Sequence, residues 1–177
     1  GFNYVAEAKG VASGSELVTN GTFGSDISGW TDKSVGTGSI AHSSGRLRIN
    51  STDSSNYGWA EQSITTVAGK RYVMSFDVVN AANSLQIGTA TGGVEILALT
   101  SYATGSHVIE FIALTTSTFI GFNHQAATHS SIDNVSVKVA TQDAKIRLVR
   151  FEFSVTQAYI LEFGNLYIRV YKDNGQI

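Results

Sequence analysis

Tyr57 and Trp59 stand two residues apart in a segment, 57–64, that reads as a strand. Alternation turns Ala60, Gln62 and Ile64 toward a core, and so turns Tyr57, Trp59, Glu61 and Ser63 toward the opposite face. Two large aromatics on a polar face can stack against the apolar C–H faces of a sugar ring while neighbouring polar groups take its hydroxyls. The same register puts Glu61, Asp77, Gln86 and Asn123 on non-core positions of neighbouring strands, where they are the candidate hydroxyl partners beside Trp59 and Tyr57. Packing of the two rings under a lid at the edge of a sandwich accounts for them equally well. A slip of one residue would reverse every one of these faces.

Other chemistry finds less support. Glu61 and Asp77 would form a carboxylate pair if their strands were adjacent, and glycoside hydrolysis needs two carboxylates roughly 5–10 Å apart across a cleft. Two hydrogen-bonding groups explain that pair better, and the expectation is a non-enzyme. The sequence has no G-x-S-x-G elbow, no P-loop and no G-x-G-x-x-G, so nucleophilic and nucleotide chemistry lack a motif. His42, His107, His124 and His129 share no metal-ligand spacing and read as surface or loop residues. Zero Cys removes disulfides, thiolates and Cys-based zinc sites. A net charge of -2 leaves no basic footprint for nucleic acid or anionic membrane. No apolar run reaches the length that spans a bilayer, so membrane insertion is not expected. Asn20, Asn50 and Asn134 open N-x-S/T sequons, which carry meaning only on a eukaryotic secretory route.

The elements that must position these residues are strands. Periodicity is two nearly everywhere, and Gly and Ser/Thr clusters punctuate the chain about every ten residues, the spacing of a sandwich or barrel. The pattern predicts strands over 38–42, 45–50, 57–64, 71–79, 84–88, 94–99, 106–114, 117–124 and 132–139. Tyr72, Met74, Phe76 and Val78 form the inward set of 71–79. The period breaks between Ile132 and Val135, which predicts a bulge near Asp133 and Asn134. Phe23, Phe111, Phe119 and Phe122 read as core or near-core, and Trp30 as a packing plug.

Composition changes near residue 140. Residues 14–140 hold six Lys/Arg and nine Asp/Glu in a long Ser/Thr/Gly-rich stretch, whereas 141–177 hold five and four in a much shorter one. In the tail, 157–163 and 166–171 flank Gly164-Asn165, which suits a tight hairpin, and Asp173-Asn174-Gly175 signals another turn. Two strands alone bury too little to stand in water. The chain opens at Gly1, with Phe2, Tyr4 and Val5 reading as the middle of a strand, so it is expected to be an excised piece of a longer protein.

Two stretches resemble known families. Residues 16–30, ELVTNGTFGSDISGW, with GRLRI (45–49), AEQSITTVAGKRYVMSFDV (60–78), IGTATGG (87–93) and SIDNVSV (131–137), resemble the jelly-roll carbohydrate-binding modules of the family 4/9/22 type. Separately, GFNYVAEAKG (1–10) and 144–177 resemble one continuous segment of the tail tubular, or nozzle, proteins of short-tailed bacteriophages. Together these imply an all-β chain: a host strand fragment over 1–13, an inserted antiparallel β-sandwich (jelly roll) over 14–140, and a host hairpin segment over 141–177.

The module resemblance also implies a structural calcium, with Asp133 of the SIDNVSV motif as a carboxylate ligand beside oxygens of the opening loop. This chain departs where relatives carry Glu after the Phe, because it has Gly24. Glu16, Asp26 or Asp53 could substitute, with oxygens near Asn20, toward the six to eight a calcium takes. Asp133 capping its own turn is an equal alternative. The expected function is non-catalytic polysaccharide binding on a virion tail or in an extracellular setting, aiding adhesion to host-surface glycan. A homo-oligomeric ring is implied for the intact parent, while the fragment can be monomeric. Two rivals stand beside this reading: a purely structural insertion that braces the tail, and an ancillary module of a secreted glycoside hydrolase.

Overall fold

A computed structural model describes residues 11–140, 147–154, 157–164, 167–172 and 175–176. The chain divides into two compact units, one spanning Ala12–Val139 and the other taking up the remainder. All regular structure among the described residues is β.

The larger unit contains β1 (Ala12–Ser13), β2 (Thr31–Asp32), β3 (Ser39–Ser43), β4 (Arg46–Asn50), β5 (Gly58–Thr65), β6 (Arg71–Val79), β7 (Asn83–Gly88), β8 (Leu97–Tyr102), β9 (Gly105–Ile112), β10 (Ser117–His124) and β11 (His129–Ala140). One sheet runs β3-β4-β11-β6-β9, with β1 also pairing β11; the other runs β2-β5-β10-β7-β8. The long-range order follows from alternation. Leu47, Ile49, Tyr72, Met74, Phe76, Val78, Ile132 and Val137 of the first sheet meet Ala60, Ile64, Leu85, Ile87, Ile120 and Phe122 of the second in one buried cluster. Trp30 plugs its end, with ring centroids 5.7 Å from Phe23 and 5.8 Å from Phe122.

Turn chemistry sets several registers. Ser44 and Gly45, both at positive φ, make the two-residue connection that pairs Ser43 with Arg46. The bulge expected in the last strand is present: the β11–β6 register shifts between Asp133 and Ser136, and Asn134 takes a φ of 50°.

Three expectations are corrected. The strand expected over 94–99 runs instead over Leu97–Tyr102, because 89–96 folds back on β7; Gly88 and Gly93 approach so closely that a β-carbon on Gly88 would lie 2.2 Å from the Gly93 carbonyl carbon. Phe119 is half-exposed on the outer side of β10 rather than in the core, since its neighbours Thr118 and Ile120 take the inward positions. His124 is buried, with Nδ1 2.9 Å from the Ala82 carbonyl and Nε2 2.9 Å from Thr128 Oγ1.

The second unit contains β12 (Arg147–Ser154), β13 (Gln157–Gly164), β14 (Tyr167–Lys172) and β15 (Gly175–Gln176), paired in that order as an antiparallel meander. It is larger than the hairpin expected there, because β12 extends it by pairing with β13 from Arg147↔Phe163 to Ser154↔Gln157. The expected strand over 1–10 and the turn residues Asn165, Asp173 and Asn174 lie outside the described residues.

Candidate functional site

The outer face of the five-stranded sheet collects most of the candidate ligand residues. β10 pairs with β5 on one side and β7 on the other, so Glu61, Gly121 and Gln86 form one row, and Trp59, Asn123 and Ser84 the next. Ser63, Phe119 and Gly88 form a third. Period two makes these rows share a face, opposite the buried Ala60, Ile120 and Leu85.

Trp59 is half-exposed and outside the core cluster. Its backbone is fixed by Ser34 Oγ, which accepts its N–H at 3.0 Å, and by the Lys33 N–H, which donates to its carbonyl at 2.8 Å. Its indole extends across β10 toward the 89–96 loop. A β-carbon on Gly121 would lie 2.8 Å from Nε1 and 3.1 Å from Gln86 Cγ, and one on Gly92 would lie 3.2 Å from Cη2. Two glycines therefore make room for the ring to lie along the sheet. The sequence signal for this was a glycine in the interior of a strand, which marks a close approach.

Polar groups surround the ring. Glu61 is 3% exposed, and its Oε1 accepts the Gly92 N–H at 2.8 Å. Gln86 and Asn123 are buried. Trp59 Nε1 and Asn123 Oδ1 are a shielded donor and a shielded acceptor on directly paired residues, and neither has a hydrogen-bond partner. Tyr57 sits just before β5, half-buried, with its carbonyl accepting the Val35 N–H at 2.9 Å.

Asp77 does not join this group. It lies on β6 in the other sheet, paired with Asp133 of β11 and Ser106 of β9. The alternation reported its face correctly as non-core but carried no information about its sheet, so the expected adjacency of Glu61 and Asp77 is corrected. Asn134 Nδ2 donates to Asp77 at 2.7 Å, and this bond, with one from Ser106, holds the carboxyl below the ordinary Asp range. A separate cleft of about 540 Å³ opens beside β8 and β9, lined by Leu97, Tyr102, Phe111 and Leu114 among others; it does not include Trp59.

No family model and no curated protein matches the sequence. Solved structures do match it. A family 4 carbohydrate-binding module (CBM4) superposes with a TM-score of 0.52 at 16% identity, covering 69% of this chain and 99% of the module. The apo CBM1 of BiXyn10A gives a TM-score of 0.54 at 14% identity, covering 70% and 99%. The enzymatically active domain of tailspike protein 4 from bacteriophage CBA120 gives 0.51 at 15% identity, covering 70% of this chain but 21% of that one. The sandwich has the jelly-roll fold of carbohydrate-binding modules.

On this jelly roll the expected metal ligands are engaged by protein groups. Glu16 Oε1 accepts N–H groups from Leu17 at 3.1 Å, Val18 at 3.0 Å and Val137 at 2.7 Å, while Oε2 accepts the Ser136 hydroxyl at 2.5 Å. Asn20 offers its amide nitrogen, not its oxygen, to Asp26 Oδ1 at 2.7 Å and to the Asp26 carbonyl at 3.0 Å. Asp133 accepts its neighbour Asn134 N–H at 2.8 Å and pairs with Arg46 at 3.7 Å. Asp26 and Asp53 likewise close local turns onto Ser28 and Asn56. Among the described residues no group of three His, Asp or Glu side chains is placed to hold a metal ion.

Proposed function

We propose that the jelly-roll unit is a non-catalytic glycan-binding module and that its ligand lies on the outer face of the five-stranded sheet, stacked on Trp59. The observation that carries this reading is a half-exposed indole, Trp59, whose cross-strand partner Asn123 presents a shielded side-chain oxygen without a hydrogen-bond partner. A buried donor or acceptor without a partner costs about 1–3 kcal/mol. The exposed part of the indole can cover a sugar ring's C–H face, while polar side chains beside it on the same sheet face can take the hydroxyls. Gln86 is placed to extend this set.

The fold likeness to CBM4 and to BiXyn10A CBM1 supports a polysaccharide as the partner class. The resemblance of 1–10 and 144–177 to phage nozzle proteins, together with the fold likeness to a phage tailspike domain, supports a virion tail as the setting. There the module would aid adhesion to host-surface glycan, and a homo-oligomeric ring would multiply weak single-site contacts.

A glycan array tests the reading, with every hit repeated on Trp59→Ala. Binding that Trp59→Ala abolishes upholds it. An array without hits across bacterial and plant polysaccharides would leave the bracing role in the tail as the better account.

A further inference from the structure

We infer that Glu61 is a positioning residue, a latch that holds the tip of the 89–96 loop against the Trp59 indole and so shapes the face on which glycan stacks. The inference rests on the glycan-face reading above.

Glu61 is a buried carboxylate, and among the described residues no cation pairs with it. Such a charge must be compensated by hydrogen bonds, and the Gly92 N–H at 2.8 Å supplies one, of the stronger charge-assisted kind. The loop is otherwise tied near its base. Glu95 Oε2 accepts the Thr89 N–H at 3.1 Å, the Ile96 N–H donates to the Ile87 carbonyl at 3.1 Å, and the Gly93 N–H donates to the Ala90 carbonyl at 2.9 Å. None of these bonds reaches back to β5. The Glu61–Gly92 bond does, and Gly92 itself adjoins the ring, with 3.2 Å left between its β-carbon position and Cη2. Its φ of 71° lies where glycine is favoured, so the tip adopts this shape without strain. With the carboxylate committed to the loop, Glu61 acts on that face through Gly92 rather than by gripping sugar itself.

The test uses the full chain and measures two quantities: hydrogen exchange of the Gly92 amide without sugar, and affinity for a glycan found on the array. Glu61→Gln keeps an acceptor oxygen at the same reach, so Gly92 protection and affinity should both stay within about threefold of wild type. Glu61→Asp keeps the charge but is one methylene short, and both should fall about tenfold. Gly92→Ala leaves Glu61 intact while straining the tip, and its affinity should fall as far as that of Glu61→Asp. Unchanged Gly92 protection in Glu61→Asp overturns the inference. So does unchanged affinity in Gly92→Ala, or loss of affinity in Glu61→Gln with Gly92 still protected, which would make Glu61 a direct sugar contact. If wild type binds no glycan, the exchange data still decide whether the latch exists, and the glycan reading alone fails.

Discussion

Gly121 leaves open the space that the Trp59 indole fills: a β-carbon there would stand 2.8 Å from Nε1. The position is not at positive φ, so alanine fits the backbone, and the ring and the Gln86 side chain, 3.1 Å away, must give way. Gly121→Ala is therefore expected to cost less than about 1.5 kcal/mol in urea unfolding yet to weaken glycan binding about tenfold. Affinity electrophoresis in polysaccharide gels measures the second effect. Equal mobility shifts for Gly121→Ala and wild type would mean that ring placement does not matter.

Asp77 supplies the control. Because it lies on the opposite sheet, Asp77→Asn should leave affinity within about twofold of wild type. A larger loss, measured by isothermal titration with the same glycan, would move the ligand to the wrong face.

Glu16 fixes the start of the jelly roll to its last strand through Ser136 and Val137. Glu16→Ala strips Val18, Ser136 and Val137 of their acceptor, Leu17 keeping the Val137 carbonyl, and is expected to destabilise the unit by roughly 1–3 kcal/mol in chemical denaturation. The melting temperature of the wild-type chain, compared in calcium and in EDTA, checks whether a cation also uses these oxygens. An increase in calcium that Glu16→Ala removes would reveal a cation competing for the carboxylate.

Burial lowers the pKa of His124, reinforced by nearby His129 and opposed by the Ala82 carbonyl. The folded value lies below the unfolded one, so in the window between them the native state binds fewer protons than the unfolded state does. Its stability contribution is complete above the unfolded value of about 6.5 and is lost progressively as pH drops from there through the folded value. Asp26, Asp53 and Asp77 are also lowered and act in the same direction, but in a window near and below the ordinary Asp value of 3.8. Melting temperature should therefore decline between about pH 7 and pH 5, and His124→Gln should flatten that slope. A slope that survives His124→Gln would assign it to another group.

Much of the sandwich was legible because its strands obey a strict alternation. The inward sets of β5 and β6 could be named from Ala60, Ile64, Tyr72 and Phe76 before any pairing was known, and the broken period after Ile132 located a bulge. Alternation reports a face, however, and is silent about which sheet a strand joins. Asp77 and Glu61 therefore looked like neighbours when each belongs to a different layer. Nor does it foresee how a polar side chain is spent. Glu61 takes a loop amide, Glu16 takes four protein donors, and His124 is drawn inside by Ala82 and Thr128. The start of β8 was displaced because the close approach of Gly88 and Gly93 depends on a fold-back that carries no periodic signature. Gly121, the residue that admits the indole, was readable in principle as a glycine amid a good strand.

One consequence follows from β1 pairing with β11 and from Leu17 donating its N–H to the Val137 carbonyl at 3.0 Å. The polypeptide arrives at and departs from the jelly roll along a common seam, about one inter-strand spacing wide, roughly 5 Å. A surrounding chain interrupted there would meet a gap that a few residues could bridge. Replacing the unit by a short Gly-Ser link, or transplanting it to a surface turn of an unrelated carrier, is therefore expected to demand little stretching at either junction.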